Sequence, residues 1–216
     1  LTHDIPPQDV EGARLALARC WRRFPEGTVH LVVVDPGVGG PRAAIAVESD
    51  GRFLVGPDNG VLSPALLRAG AHAVALPVPP NASPTFHGRD VFAPAAAQLA
   101  SRVAIEALGR PFATPIVRRT PEPRRREDGA LLGEVIAVDR FGNAVTNLIG
   151  LRGGAIEIEG RRIPVRRTYG DVPSGSLTAL CGSSGLIELA VRDGSAAREH
   201  GLSRGAVVVY RVDDGR

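Results

Sequence analysis

The sequence has no methionine and no lysine, only two cysteines, and 4% aromatic residues. Each scarcity narrows what the chain can be. Cys20 and Cys181 lie far apart in apolar surroundings, so neither a disulfide framework nor a cysteine-rich metal site is indicated, and a reducing cytoplasm fits best. No stretch approaches the roughly 18 uninterrupted apolar residues that span a bilayer, and no basic segment followed by an apolar core opens the chain. A soluble protein with no membrane partner is expected. Because the chain opens on Leu1, its natural start is expected to lie further upstream. All 26 basic residues are arginine, which points to coding bias, and the net charge of +3 is modest. Arginine clusters at Arg118, Arg119, Arg124, Arg125 and Arg126, and again at Arg161, Arg162, Arg166 and Arg167. Such clusters attract phosphates, but with so few aromatic residues no stacking platform interleaves them. They read as solvated linker and strand faces, and no nucleic-acid partner is expected.

What is present is apolar material for a core: 44% of 216 residues, enough for one large domain or two small ones. The spacing of Ala13, Leu15, Ala16, Leu17 and Trp21 predicts a helix over 10–21. The valine-rich run 29–34, stopped by Asp35-Pro36-Gly37, reads as a strand buried on both faces. Short strands are expected at 43–47 and 52–55, and helices at 63–69 and 91–108. Alternating strands and helices argue for an α/β domain with a largely parallel sheet over residues 1–117. The proline-rich, charged stretch 118–129 has almost nothing to bury and reads as a linker. Over 130–216 closely spaced strands at 134–139, 155–159, 162–166, 186–191 and 206–211, without helices between them, predict a small antiparallel β-barrel.

Three segments carry candidate chemistry. In Asp35-Pro36-Gly37-Val38-Gly39-Gly40-Pro41-Arg42, a carboxylate just beyond a strand's carboxyl end can orient a water, and the arginine can stabilise developing hydroxide charge. Taken alone, the same residues make an ordinary turn. In Phe86-His87-Gly88-Arg89-Asp90, His87 lies in a loop ahead of a glycine, where its imidazole can reach a cleft, while Asp90 can cap the following helix. In Asp139-Arg140-Phe141-Gly142-Asn143-Ala144-Val145-Thr146-Asn147, an asparagine amide matches one edge of adenine and Asp139 can pair an ammonium. Gly182-Ser183-Ser184-Gly185 adds hydroxyls and backbone N–H groups suited to a carboxylate, or makes a plain hairpin turn.

Together, and in this order, these segments resemble the S-adenosylmethionine hydroxide adenosyltransferase family, relatives of the fluorinase and chlorinase enzymes. His3-Asp4-Ile5-Pro6-Pro7-Gln8-Asp9-Val10, Gly56-Pro57-Asp58-Asn59-Gly60 and Gly194-Ser195-Ala196-Ala197 also match, so the resemblance covers nearly the whole chain. It implies an α/β domain and a β-barrel domain assembled as a homotrimer, with active sites between neighbouring subunits. It further implies S-adenosyl-L-methionine as substrate, with no metal and no cofactor. By position, Asp35, Arg42 and His87 match the trio that the family places around a water. Asp139 would hold the methionine amine, Asn143 the adenine, and Ser183 with Ser184 the carboxylate; Phe86, Asp58 and Asn59 complete the implied substrate site. The fluorinase branch has an aromatic residue where Asp35 stands, an arginine at Ser184 and no comparable histidine, a contrast that favours water over halide. The family's N-terminal strand with its ribose-binding aspartate has no counterpart in this chain. The alternatives are a halide-dependent adenosyl transferase, a non-catalytic adenosyl-ligand sensor, and an arginine-rich nucleic-acid module.

Overall fold

The computed structural model describes residues 1–150 and 153–212, so the last four residues of the predicted barrel domain lie outside it. The chain divides into two compact units, Leu1–Arg119 and a second that begins at Thr120; the division falls within the stretch 118–129. Among the described residues, no helix is long and apolar enough to cross a membrane.

The first unit is a five-stranded sheet with helices on both faces. Its strands are β1 (Val29–Leu31), β2 (Ala44–Ser49), β3 (Arg52–Pro57), β4 (His72–Ala75) and β5 (Arg110–Pro111), in the order β1-β3-β2-β4-β5. Side-chain alternation along β2 splits the core in two. Ile45 and Val47 join Leu54 against helix α1 (Val10–Cys20) and Trp21. Ala44 and Ala46 face Phe92, Leu99 and Ile105, around helix α3 (Ala93–Ala100). Helix α1 starts where Asp9 accepts a hydrogen bond from the Gly12 amide at 3.0 Å, capping its first turn.

The expectation of a largely parallel sheet does not hold, because only β1 and β3 run parallel while β2, β4 and β5 pair antiparallel with their neighbours. The reason is local. Asp50 and Gly51 both adopt positive φ, +46° and +68°, which makes a two-residue hairpin turn, and such a turn joins only antiparallel strands. Strand β1 is also shorter than expected and lies at a sheet edge, with Leu31 48% exposed, so the valine run is not buried on both faces. The predicted helix over 91–108 is broken into a π-type turn (Gly88–Phe92), α3 and a 3-10 turn (Ile105–Ala107), with Arg102 at φ +65° ending the regular coil. The helix expected at 63–69 is a single turn, α2 (Ser63–Leu66).

His30 on β1 is buried, its Nε2 3.1 Å from the Trp21 carbonyl oxygen and its ring edge-on to Phe24. Burial pushes its pKa below the ordinary histidine value, outweighing the hydrogen bond that favours the charged form. The unfolded chain therefore binds the proton more tightly than the fold does, and this contribution to stability, full above the unfolded pKa, is lost as pH falls through it. The melting temperature should drop between about pH 7.5 and about pH 5.5, and His30→Gln should flatten that dependence; identical slopes would discount His30.

The second unit is a closed barrel. Strands β7 (Leu131–Val138), β8 (Ala144–Ile149), β9 (Ala155–Ile158), β10 (Arg161–Arg166), β11 (Leu177–Cys181), β12 (Leu186–Val191) and β13 (Val207–Arg211) form the ring β7-β8-β12-β11-β10-β9-β13, which shuts by pairing β13 to β7. Closure leaves the ring no open edge. The short β6 (Arg124–Arg125) adds to β7, so the stretch 118–129 is partly ordered as strand. Val135, Leu148, Ile156, Ile187, Leu189 and Val208 fill the interior. The expectation of a barrel is met, with one departure from all-antiparallel pairing: β10 and β11 run parallel, and residues 167–176 make the connection. Strands β8 and β11 were not anticipated; β8 begins within the Asp139–Asn147 segment that reads as a turn.

Candidate active site

In the first unit, the loop 35–42 leaves the end of the β1 segment, and its conformation is fixed by neighbours. Asn59, just past β3, donates from Nδ2 to the Val34 carbonyl at 2.9 Å and accepts from the Val61 amide at 3.1 Å. Asp58 donates its backbone N–H to the Ala43 carbonyl at 2.9 Å and accepts the Ile116 amide at 2.7 Å through its side chain. Burial pushes the Asp58 carboxyl up, against the pull of that amide. Both residues, implied as substrate contacts, thus brace backbone on either side of the loop. Gly39 adopts φ +74°, and a Cβ there would sit 2.3 Å from the Pro84 carbonyl oxygen, so a glycine is what lets this loop lie against the one carrying His87.

These two loops bring Asp35, Arg42 and His87 together. Arg42 Nε donates to Asp35 Oδ1 at 3.0 Å while its Nη2 donates to Asp35 Oδ2, a two-pronged pair with side chains 9% and 5% exposed. The same Nη2 lies 2.9 Å from His87 Nδ1, and His87 is 6% exposed. A guanidinium can only donate, so Nδ1 accepts and the neutral ring carries its proton on Nε2. Arg42 also stands over the Phe92 ring at 5.4 Å. The result is a mostly dry cluster of carboxylate, guanidinium and imidazole whose net charge is near zero.

The loop that presents His87 is tied down by Asp90, which accepts the Ser83 amide at 2.8 Å and pairs with Arg89 at 2.6 Å. The Arg89 hydrogen bond, then the Ser83 amide, hold the Asp90 carboxyl down at about 2. Phe86 is exposed, with the Arg89 guanidinium 4.7 Å from its ring centre.

A second cluster forms on the barrel unit. Asp139 Oδ1 accepts the Phe141 and Asn143 amides, each at 2.9 Å, and its Oδ2 accepts Asn143 Nδ2 at 3.1 Å. Asn143 Nδ2 also approaches the Tyr169 hydroxyl at 3.4 Å, so both amide hydrogens are committed and Oδ1 is the atom left for a ligand. Gly142, at φ +85°, lies against Ser195, where a Cβ would be 2.0 Å from Oγ; Ser195 in turn caps α4 (Ala196–His200). On the Gly182–Gly185 turn, Ser183 is exposed, while Ser184 Oγ is buried without a hydrogen-bond partner among the described residues.

Sequence reasoning missed Tyr169 and Glu188. Tyr169 opens a 3-10 turn capped reciprocally by Thr168 and Asp171, and that Thr-x-x-Asp pattern was a readable signal. Glu188 is an acidic residue inside the otherwise apolar run Leu186–Val191, and its misfit to that run was the other signal. Among the described residues, one group has metal-ligand geometry: Glu48, His72 and Glu106 place ligand atoms within 4.8 Å of one another, on β2, β4 and the 3-10 turn before β5. None of them belongs to either cluster.

Two family profiles match in sequence order: the SAM hydroxide adenosyltransferase N-terminal domain over residues 1–109 and its C-terminal domain over residues 133–209. The chain belongs to this family. Among its relatives is the (R)-S-adenosyl-L-methionine hydrolase of Thermus thermophilus, 44% identical over 96% of this chain and 85% of that protein. A fluorinase from Nocardia brasiliensis stands further off, 26% identical over 98% of this chain and 86% of its own. Among solved structures, an uncharacterised conserved protein from Thermotoga maritima is 31% identical and superposes with a TM-score of 0.85, over 97% of this chain and 86% of that one.

Proposed function

We propose that this protein hydrolyses S-adenosyl-L-methionine to adenosine and L-methionine. The observation that carries the reading is the junction of Asp35, Arg42 and His87 in one nearly dry cluster, on a chain 44% identical to a protein named for that reaction. A sulfonium makes methionine a good leaving group, so the site has only to position and activate a nucleophile. Water attacks the ribose C5′ in line with the C–S bond. That bond breaks with its electron pair going to sulfur, and methionine leaves as a neutral thioether. Asp35 takes the proton that the water sheds and passes it to solvent, His87 holds the water oxygen through Nε2–H, and Arg42 lowers the cost of hydroxide character by Coulomb attraction.

On the barrel, Asp139 receives the methionine ammonium and Asn143 Oδ1 the exocyclic amine of adenine. Ser183 and Ser184 receive the carboxylate, which would give the buried Ser184 hydroxyl its partner. Phe86 offers an exposed apolar face to the substrate. The protein works in the cytoplasm as a homotrimer, with each site shared by neighbouring subunits. No metal, cofactor or nucleic acid takes part. A halide-dependent transfer would bring an anion against the Asp35 carboxylate, 5% exposed, which a water tolerates better.

The test is product analysis in isotopically labelled water, with and without chloride, on each sulfonium epimer separately. Adenosine labelled at its 5′ hydroxyl, at a rate indifferent to chloride, is the expected result. A 5′-chloro product, or no turnover of either epimer, would sink the reading.

A further inference from the structure

On the sheet of the first unit, Ala44 and Ala46 of β2 and Val74 of β4 enter the core around α3. Alternation carries Glu48 and His72 onto that same face, just past its apolar part, and the two residues are paired directly across the strands. Glu106 comes from the 3-10 turn Ile105–Ala107, which is anchored there because Ile105 is buried in the same core. Packed elements thus hold three metal-ligating side chains from segments distant in sequence. Their spacing is that of a coordination site. His72 Nε2 lies 3.3 Å from Glu106 Oε1 and 3.6 Å from Glu48 Oε2, and the ligand atoms all fall within 4.8 Å of one another. Two donors on one tetrahedral zinc ion, each about 2.1 Å from the metal, are about 3.4 Å apart, whereas an imidazole hydrogen-bonded to a carboxylate closes to about 2.8 Å.

The charge at this cluster also lacks a counterpart. The chain has 26 arginines, yet among the described residues neither Glu48 nor Glu106 pairs with one, and the neighbour of Glu48 on β3 is Phe53. Two carboxylates drawn to one imidazole repel each other, and a dication between them replaces that repulsion with attraction. One nitrogen and two carboxylate donors suit zinc or a neighbouring first-row divalent ion, while magnesium and calcium prefer oxygen ligands alone. We propose that Glu48, His72 and Glu106 bind a divalent transition-metal ion of the zinc class, which fastens the β5 edge of the sheet to β2 and β4. That edge is otherwise weakly held, because β5 is two residues long and Pro111, opposite Val74, has no N–H to give to the ladder. Water completes the coordination, as the His72 and Glu106 side chains are 46% and 68% exposed. The ion is structural: its ligands belong to neither cluster of the proposed active site, and the inference stands apart from the hydrolase reading.

The experiment strips the full chain with a chelator and titrates it with zinc by calorimetry, and separately with cobalt, whose visible absorption reports its ligand geometry. Zinc at about a hundred times its dissociation constant should raise the melting temperature by about 5 °C or more, and magnesium at the same concentration should leave it unmoved. Cobalt should give the absorption of a tetrahedral site with nitrogen and oxygen ligands. His72→Gln, Glu48→Gln and Glu106→Gln should each weaken zinc binding at least about tenfold, since even a group that only orients a metal ligand is worth that much. Glu106→Gln is the variant least able to disturb the fold, because its side chain is the most exposed of the three. Its melting temperature without metal should match that of the wild type, and zinc should no longer raise it. Zinc binding of equal strength in the wild type and in Glu106→Gln, or none in the wild type, overturns the proposal. Binding that leaves the melting temperature unchanged overturns it as well, because an ion that fastens the sheet edge must favour the folded chain.

Discussion

Asp35→Asn should lower kcat for S-adenosyl-L-methionine by about a thousandfold, the scale of one general base, while the dissociation constant for substrate moves less than about threefold. Asparagine keeps the size of the side chain and one oxygen for the Arg42 Nε, so the loops 35–42 and 83–90 can stay in contact. What it loses is the negative charge that accepts a proton from water. The substrate's binding groups lie elsewhere in the proposed site, which is why affinity and turnover should separate. Single-turnover kinetics and calorimetric titration measure the two independently. A kcat within a factor of about three of wild type would remove Asp35 from catalysis.

Arg42→Lys keeps the positive charge and destroys the fork. The native guanidinium serves two partners at once, Asp35 through Nε and Nη2 and His87 Nδ1 through Nη2. A single ammonium cannot reproduce that planar geometry. Turnover should fall about a hundredfold, as when one preorganised donor is removed from a charged transition state. His87 should lose its fixed tautomer as well, which nitrogen chemical shifts of the labelled imidazole would report. Because the three side chains act as a unit, the double substitution Asp35→Asn with Arg42→Lys should cost little more than the worse single one. Multiplicative losses would show that the residues act separately and would end the shared-water picture.

Much of the fold was legible because apolar spacing is a local property. The face formed by Ala13, Leu17 and Trp21 is a helical repeat that survives across α1 and the 3-10 turn that follows it. Strand direction was not legible in the same way, since an alternation of strands and helices suits parallel and mixed sheets alike. The deciding signal was the turn at Asp50-Gly51, which is too tight for any crossover. In the barrel, the segment from Asp139 to Asn147 looked like one polar turn, but its hydrogen bonds close by Asn143 and Ala144 opens a strand. Threonine and asparagine at 146 and 147 are there because strand residues can bond sideways. Thr146 donates to the Ile187 carbonyl at 2.8 Å, and Asn147 donates to the Pro121 carbonyl at 2.8 Å.

The meeting of Asp35, Arg42 and His87 was legible, because chemistry and loop position coincide in those segments. The bracing of those loops was less legible. Asp58 and Asn59 stand in a motif that marks them as ligand contacts, yet their side chains are spent on the Ile116 amide, the Val34 carbonyl and the Val61 amide. A spacing pattern does not show which side chains are already committed to neighbouring backbone. Glu188 shows the converse: one acidic residue in an apolar strand is a weak pattern, and only the fold shows it buried against Gly182.

The strand count of the barrel has a consequence of parity. Directions can alternate all the way round a ring only if the number of strands is even, so a ring of seven must contain a like-directed pair of neighbours. Here the odd pair is β10 and β11, and reaching β11 in the same sense as β10 obliges the chain to travel back along the outside of the wall through residues 167–176. Tyr169 rides on that detour. An eighth strand would have let a tight hairpin close the ring, and the phenol that faces Asn143 would have had no segment to carry it.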